Sequence, residues 1–158
     1  MDRVDKDNYY LNIAEEVSKR STCLKRHYGA VIVNNGEIIS TGYSGAPRKL
    51  LSCYDTKKCL RENSKRGTDY SFCTSVHAEQ NAIISSARRD MIGSDIYLVG
   101  IEECNPGWRY VINPSPCSLC KRMIINAGIS RVIIRKDEHN FDIINVSDWD
   151  INDIVGGY

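Results

Sequence analysis

Apolar and polar residues alternate along the chain in a pattern that predicts helices and strands in turn. Apolar residues recur at helical spacing over residues 8–20, which predicts an amphipathic helix. Two short apolar runs, 29–33 and 38–43, flank a turn signal at 34–36 and predict a β-hairpin. Residues 44–74 are polar, rich in Gly, Lys, Arg and Cys, and show no clear period. They predict a long structured loop, which in a small domain is functional, disordered or held by something.

The second half of the chain continues this alternation. Helical spacing over residues 76–89 predicts a second helix, with Ala78, Ala82, Ile83 and Ala87 as its inward positions. The other predicted elements are a strand at 96–99, a loop at 102–116, a helix at 117–127 that ends at Gly128, a strand at 131–135 and a short helix near 147–155 with Ser147 as its N-cap. Strands that alternate with helices predict an α/β layer fold, here with a central sheet opened by the hairpin.

Composition narrows the class of protein. The chain has 158 residues, which suits a single domain, 1–158, with its own core. Its apolar fraction of 42% and charged fraction of 26% are ordinary for a soluble globular protein. A formal net charge of +1 argues against a strongly electrostatic binder of nucleic acid or membranes. No apolar run is long enough to span a bilayer, and the polar start MDRVDKDNYY is unlike a secretory signal. We therefore expect a cytoplasmic protein.

The cysteine content then suggests metal binding. The chain has seven cysteines, at positions 23, 53, 59, 73, 104, 117 and 120. In a reducing compartment this density favours metal ligation over disulfides, and an odd number fits poorly with a closed disulfide framework.

Two short motifs carry the candidate chemistry. HAEQN places His77 and Glu79 at the start of one predicted helix, and PCSLC places Cys117 and Cys120 at the start of another. Catalytic zinc commonly takes three protein ligands and leaves a fourth position for water, and His77, Cys117 and Cys120 are such a set. A helix N-terminus favours the thiolate form of a cysteine. If the two helices pack side by side, all three side chains converge on one ion.

Glu79 is then predicted to move protons rather than to bind the metal. It would lie beside a zinc-bound water, whose pKa zinc lowers to about 7. Alone, Cys-x-x-Cys equally suits a redox pair or half of a structural zinc site, and His-x-Glu is a weak signal. Together they form the signature of zinc-dependent nucleobase deaminases. His27 and His139 have no such neighbours, so we expect them to be surface or hydrogen-bonded residues.

With these motifs the chain resembles the cytidine and deoxycytidylate deaminase family, most closely its deoxycytidylate (dCMP) branch. The matching segments are RSTC (20–23), YGAVIV (28–33), TGYSGAP (41–47), HAEQNAI (77–83), PCSLC (116–120) and INAGI (125–129). The resemblance implies a three-layer α/β/α fold with a central mixed sheet. It also implies a zinc-dependent hydrolase that converts dCMP to dUMP with release of ammonia, with Glu79 exchanging protons with water, ring nitrogen and leaving group.

The resemblance also suggests substrate contacts. In relatives, a backbone carbonyl just before the first ligand cysteine accepts a hydrogen bond from the substrate amine. Ser115 occupies about that position in this chain, so the resemblance implies that its carbonyl makes this contact. Ser44 stands where many dCMP deaminases carry an asparagine, so its reach toward the sugar differs. The segment 100–114 is longer than in these relatives and contains Trp108. Trp108 either belongs to a small surface cluster or stacks on the substrate base.

Basic residues beside the matching segments are candidates for a 5′-phosphate, although such residues are often only a solvated face. They are Arg20, Lys25, Arg26, Arg48 and Lys49, with Arg48 as the first choice because it directly follows Gly-Ala-Pro.

The remaining cysteines suggest a second zinc. Cys23, Cys53, Cys59 and Cys73 would form a structural Cys₄ site that holds the 44–74 loop, which is mostly polar. Some dCMP deaminases carry a second zinc with cysteines that match Cys23 and Cys53. The alternative is four separate thiols, and Cys104 remains a plain loop thiol.

Other functions stay open on the sequence. One alternative is a deaminase of a nucleoside, a free base, dCTP, another amino-heterocycle or an RNA-embedded base, of which near-neutral charge disfavours the last. Another is a non-catalytic zinc-binding module, against which the intact Glu79 argues. Since family members often assemble so that neighbours complete the site, we expect a homo-oligomer with a small nucleotide as its substrate.

Overall fold

A six-stranded mixed sheet forms the centre of the molecule in the computed structural model, which describes residues 1–65 and 68–156. The two residues at 66–67 of the predicted loop lie outside the described part. The strands are β1 (Arg26–Asn34), β2 (Glu37–Tyr43), β3 (Asp95–Glu103), β4 (Trp108–Tyr110), β5 (Arg131–Arg135) and β6 (Phe141–Asn145). Their order is β2-β1-β3-β5-β6, with β4 paired to β3. β3 and β5 run parallel, and the other neighbours run antiparallel.

Helices cover both faces of this sheet. They are α1 (Lys6–Ser18), α2 (Cys53–Thr56), α3 (Ala78–Ile84), α4 (Arg88–Met91), α5 (Ser118–Ala127) and α6 (Ile151–Ile154). α1 packs on one face, and α3 and α5 pack on the other. The expected three-layer α/β/α fold with a central mixed sheet is therefore confirmed. No helix in the described ranges combines the length and apolar character needed to cross a membrane.

Side chains that alternate along β1 contribute to the hydrophobic core on each face of the sheet. Ala30 and Ile32 are buried on the side of α3 and α5, whereas Val31 and Val33 are buried against α1. Successive side chains of a strand point to opposite faces, so a strand covered on both sides reads as a continuous apolar run. This is why residues 29–33 lack polar positions.

A close approach between β2 and α3 sets the position of the helix. A Cβ atom at Gly42 would lie 2.3 Å from the Ala78 carbonyl oxygen and 2.3 Å from the Ala82 amide nitrogen. Only glycine admits a helix backbone this near to the strand. Gly42 therefore determines how deeply the start of α3 is seated.

Several sequence predictions are confirmed. The hairpin forms as β1 and β2, the 131–135 strand is β5, and α5 ends at Gly128, whose φ of 82° is left-handed. The first helix is present but runs from Lys6 to Ser18 rather than over 8–20.

The prediction of a continuous helix over 76–89 is wrong. α3 ends at Ile84, and a separate four-residue helix, α4, follows at Arg88–Met91. The Ser85 hydroxyl donates to the Asn81 carbonyl at 2.8 Å, which competes with continued helical bonding. Ala87, predicted to point inward, is exposed as the N-cap of α4.

The prediction for the C-terminal region also needs correction. α6 is shorter than 147–155, and its N-cap is Asp150, which forms a capping box with Asp153. Ser147 lies instead in a 3₁₀ turn. β6 was not predicted because three of its five positions are exposed, which hides the period of a strand. Inside the predicted 102–116 loop, β4 turns back onto the end of β3.

Candidate active site

The starts of α3 and α5 carry the two motifs. His77 is the N-cap of α3, where its backbone amide donates to the Gln80 side chain at 2.9 Å. Cys117 is the N-cap of α5, where its sulfur accepts from the Cys120 amide at 3.4 Å. Both residues have the extended backbone that places a capping side chain over the helix end. The two helices pack against each other, so their N-terminal ends share one site.

The three predicted ligands converge in the structure. His77 Nδ1 lies 3.5 Å from the Cys117 sulfur and 3.4 Å from the Cys120 sulfur. All three donor atoms lie within 4.8 Å of one another, and no other such group of His, Cys, Asp or Glu occurs in the described ranges. Tetrahedral zinc, with bonds of about 2.0–2.1 Å to nitrogen and about 2.3 Å to sulfur, requires nitrogen–sulfur separations of about 3.5 Å. The donor set and its spacing therefore fit zinc.

The two thiols are unequal without a metal. The hydrogen bond that Cys120 donates to the Cys117 sulfur lowers the pKa of Cys117 to about 4, and it raises the pKa of Cys120. Cys117 is therefore the thiol that loses its proton more easily, and a bound cation would displace the protons of both thiols.

Glu79 lies beside this trio and is buried, with 5% of its surface exposed. Burial raises the pKa of its carboxyl group above the ordinary value, against the lowering effects of a backbone hydrogen bond and of His77. A carboxyl group in such surroundings is suited to exchanging protons near neutral pH. The burial of Glu79 is unusual for a glutamate and has no evident role in folding.

A cavity of about 720 Å³ opens onto these residues and is large enough for a nucleotide. Its lining includes His77, Glu79 and Cys117 together with Ser44 and Ser115. Two of the sequence-predicted substrate contacts therefore lie in the same cavity as the metal ligands.

The hydroxyl of Ser44 is already engaged. It is 2.8 Å from the Ser21 hydroxyl and accepts from the Tyr28 amide at 3.0 Å, and only 5% of Ser44 is exposed. The Ser115 hydroxyl donates to the Pro116 carbonyl at 3.3 Å. Each serine thus contributes to the shape of the cavity wall.

The structure does not bring Arg48 and Trp108 to this cavity. Arg48 lines a neighbouring cleft that contains none of the four motif residues. The Trp108 ring packs on His27 with ring centroids 4.5 Å apart, and 48% of Trp108 is exposed. Their roles in substrate binding stay predictions.

Four cysteines line another part of the cavity wall, namely Cys23, Cys53, Cys59 and Cys73. Burial raises the pKa of the Cys53 thiol, and the neighbouring Cys59, Cys23 and Cys73 raise it further. The four cysteines form no disulfide, and in the described residues they do not form a ligand group as compact as that of His77, Cys117 and Cys120.

Sequence reasoning missed two parts of the cavity wall. Tyr28 lines it, and burial raises the pKa of its phenol to about 12, so the hydroxyl stays protonated. Asp153 of α6 also lines it, held by an ion pair with Lys121 at 3.9 Å. Tyr28 was detectable as the first residue of a matching segment, but nothing in the sequence places α6 beside α5.

The sequence of this chain is similar to the sequences of known proteins. A family model described as the cytidine and deoxycytidylate deaminase zinc-binding region matches residues 4–136. The deoxycytidylate deaminase of Mycobacterium phage D29 is 33% identical over 141 residues, which cover 87% of this chain and 99% of that protein. The deoxycytidylate deaminase of Saccharomyces cerevisiae is 34% identical over 142 residues, but the match spans only 41% of its length.

A solved structure is similar as well. The dCMP deaminase from the cyanophage S-TIM5, in complex with dCMP and dUMP, superposes with a TM-score of 0.57. It is 26% identical in sequence, and the match covers 85% of each chain.

Proposed function

The chain belongs to the cytidine and deoxycytidylate deaminase family, and on this basis we propose that it hydrolyses dCMP to dUMP and ammonia. One observation carries the proposal. A buried carboxyl group, Glu79, lies beside three side chains with the chemistry and spacing of zinc ligands, on the wall of a cavity of nucleotide size. A solely structural zinc would not need that carboxylate.

Zinc, when held by His77, Cys117 and Cys120, lowers the pKa of water to about 7 and so supplies a nucleophile at neutral pH. Glu79 takes a proton from the attacking water and delivers it to the pyrimidine ring nitrogen. As the carbon–nitrogen bond breaks, Glu79 takes the second proton of the original water from the new hydroxyl group on the ring carbon and gives it to the departing amine, which leaves as ammonia while the ring carbon becomes a carbonyl. The raised pKa of Glu79 suits both directions of transfer, because the group is protonated and deprotonated twice in each turnover.

Two serines are proposed to position the substrate. The Ser115 carbonyl would accept a hydrogen bond from the amino group, and Ser44 would contact the sugar. Their location in the cavity wall supports both roles. Because the Ser44 hydroxyl already bonds Ser21 and Tyr28, it would offer the sugar only its remaining capacity.

A substrate panel tests the proposed reaction. Ammonia release is measured with dCMP, dCTP, CMP, deoxycytidine, cytosine and guanine, and we expect a clear preference for dCMP. A preference for another compound of the panel would identify that compound, rather than dCMP, as the substrate. Failure with the entire panel would favour an unrelated heterocycle or the non-catalytic zinc module.

We also propose a second, structural zinc held by Cys23, Cys53, Cys59 and Cys73. Support comes from the presence of all four cysteines in the lining of one cavity and from the influence of the other three on the Cys53 thiol. In the described structure they do not form a compact ligand group like that of His77, Cys117 and Cys120, so metal binding would have to draw their sulfurs together. The alternative of four separate thiols predicts no metal there.

The remaining expectations are a cytoplasmic location, a homo-oligomeric state and a small nucleotide rather than a nucleic acid as the partner. A net charge of +1 supports the last of these. The oligomeric state is measured directly as a mass in solution by light scattering.

A further inference from the structure

The chain that follows β6 returns to the catalytic side of the sheet. Residues 149–156, here named the α6 segment, include the short helix α6. The core fixes the start of this segment, because the Val146 amide donates to the Ser130 carbonyl at 2.9 Å and Trp149 packs against buried residues of α3 and α5. The α6 segment therefore lies on the face of the sheet that carries Glu79.

Two side chains at the start of α5 hold the α6 segment. The Ser118 hydroxyl donates to the Gly156 carbonyl at 2.8 Å. The Lys121 ammonium lies 3.9 Å from Asp153 Oδ1 and 5.2 Å from the centroid of the Trp149 ring. Both side chains belong to the part of α5 that carries the two candidate cysteine ligands, so the segment is attached directly beside the metal site.

Burial in the core does not explain the position of α6. None of its four residues is buried, and Ile151 and Val155 leave 65% and 55% of their surfaces exposed. A helix of four residues is too short to be stable alone, so its capping box and its polar contacts with α5 hold it in place. The segment thus keeps apolar side chains at the surface in a fixed position.

One part of the α6 segment forms a wall of the catalytic cavity. Asp153 and Val155 line the cavity that contains Glu79, whereas Ile151 is not among its lining residues. Because the Lys121 ammonium lies beside the Asp153 carboxylate, their charges offset each other, and Val155 adds an apolar surface. A neutral and partly apolar wall suits the sugar and the pyrimidine ring of a nucleotide.

We propose that the α6 segment is a substrate-binding wall of the active site. Val155 contacts the nucleoside part of the bound nucleotide, and Asp153 is the positioning residue that holds the wall against Lys121. This assignment rests on the proposed deamination of dCMP. The family match ends at residue 136, before the α6 segment, so membership of the family does not by itself imply such a wall.

The main test places a larger side chain in the wall. In Val155→Trp the indole would occupy part of the cavity, so we expect KM for dCMP and Kd for dUMP and for deoxyuridine to rise about 10-fold. The value of kcat should stay within about threefold, since Glu79 and the candidate ligands are unchanged. Because Val155 is more than half exposed, the Tm and the zinc content should match those of the wild type.

Ile151→Trp is the matched control, because Ile151 is an exposed apolar residue of the same segment that does not line the cavity. It should bind dUMP and deoxyuridine as the wild type does. The fluorescence of the indole in Val155→Trp should change when dUMP binds, beyond any change that the wild type shows through Trp108 and Trp149. The indole in Ile151→Trp should show no such additional change.

A second variant tests how the wall is held. Asp153→Asn removes the charge that faces Lys121 but keeps an oxygen for the Asp150 amide, which donates to the Asp153 carboxylate at 2.9 Å. Kd for deoxyuridine should rise about two- to fivefold, as loss of a partly exposed ion pair allows. Because deoxyuridine is uncharged, this change reports the position of the wall rather than its charge. Asp148→Asn, at an exposed carboxylate outside the cavity lining, should leave Kd unchanged.

The outcomes separate the two proposals. A wild type that deaminates dCMP, with a Val155→Trp variant of unchanged KM, Kd and fluorescence response, overturns the wall alone. An equal loss of affinity in Val155→Trp and Ile151→Trp also overturns it. If Val155→Trp does not fold, an unchanged Kd for deoxyuridine in Asp153→Asn overturns it.

A protein that never deaminates dCMP, yet binds dUMP and loses affinity in Val155→Trp but not in Ile151→Trp, supports the wall and contradicts the proposed reaction. A wild type that binds no dUMP contradicts both.

Discussion

At the scale of single residues, the position of Glu79 in α3 brings its carboxyl group into the site, and no salt bridge to it occurs within residues 1–65 and 68–156. Glu79 belongs to the first turn of α3, one residue after buried Ala78, so the helix carries it into the site together with His77. Burial raises the pKa of its carboxyl group, and the candidate metal ligands lie beside it.

We predict that Glu79→Ala retains zinc and loses activity. Because the carboxyl group is the proposed carrier of each proton, kcat should fall by about 10²- to 10⁴-fold. Metal analysis and ammonia release on the same sample test this. Glu37→Ala, an exposed glutamate at the start of β2, is the control and should be unaffected. Near-normal turnover in zinc-loaded Glu79→Ala would rule out the mechanism.

At the scale of elements, the catalytic helix is positioned by its contact with β2. The absence of a side chain at Gly42 lets the backbone of α3 approach the strand. Packing there is backbone against backbone, so it cannot adjust by a change of rotamer.

Gly42→Ala is therefore expected to displace the start of α3. The added methyl group should cost about 1–3 kcal/mol in the free energy of unfolding and should reduce kcat as well. Urea denaturation and ammonia release measure the two effects. Thr41→Ala, at the exposed neighbouring position of β2, is the matched control. Wild-type stability in Gly42→Ala would show that α3 is not set by this contact.

The 44–74 loop gives a prediction about the second zinc. The loop has little regular structure apart from α2 and a short 3₁₀ turn, and most of its backbone hydrogen bonds join residues three or four positions apart, which does not tie it to the sheet. If Cys59 is a ligand, Cys59→Ser should lower the zinc content from two to one per chain and lower the Tm. Cys104→Ser, in a different loop, should change neither. A measured content of one zinc per wild-type chain would mean that these four cysteines are separate thiols that bind no metal.

At the scale of the whole molecule, one ion is expected to join two helices from distant parts of the chain. His77 begins α3 and Cys117 begins α5, and both helices pack on the same face of the sheet. A metal that binds the folded state alone stabilises it by mass action.

Removal of the metal should consequently affect both activity and stability. Chelation should abolish ammonia release and lower the Tm, and added zinc should restore both. In Cys117→Ser, whose catalytic site would lack a ligand, any remaining shift of the Tm on chelation would come from the second zinc. Full activity after verified loss of metal would contradict zinc-dependent hydrolysis.

The sequence by itself predicted the layer class of the fold and picked out the three candidate metal ligands and Glu79, which the structure brings together. These features depend on local spacing, since a His-x-Glu and a Cys-x-x-Cys at helix starts place their side chains through backbone geometry alone. The hairpin and α5 were predictable for the same reason, because turn residues and a left-handed Gly128 act within a few positions.

Only the tertiary structure decided which distant residues meet the cavity. Arg26 and Arg48 look equivalent in sequence. In the structure, however, Arg26 of β1 pairs with Glu102 and lines the cavity that contains Glu79, whereas the loop after β2 places Arg48 in a separate cleft. The approach of α6 to α5, likewise, depends on a pairing between Lys121 and Asp153 that no local pattern encodes. Contacts of this kind arise from the packing of whole elements, and residue spacing along the chain carries no record of them.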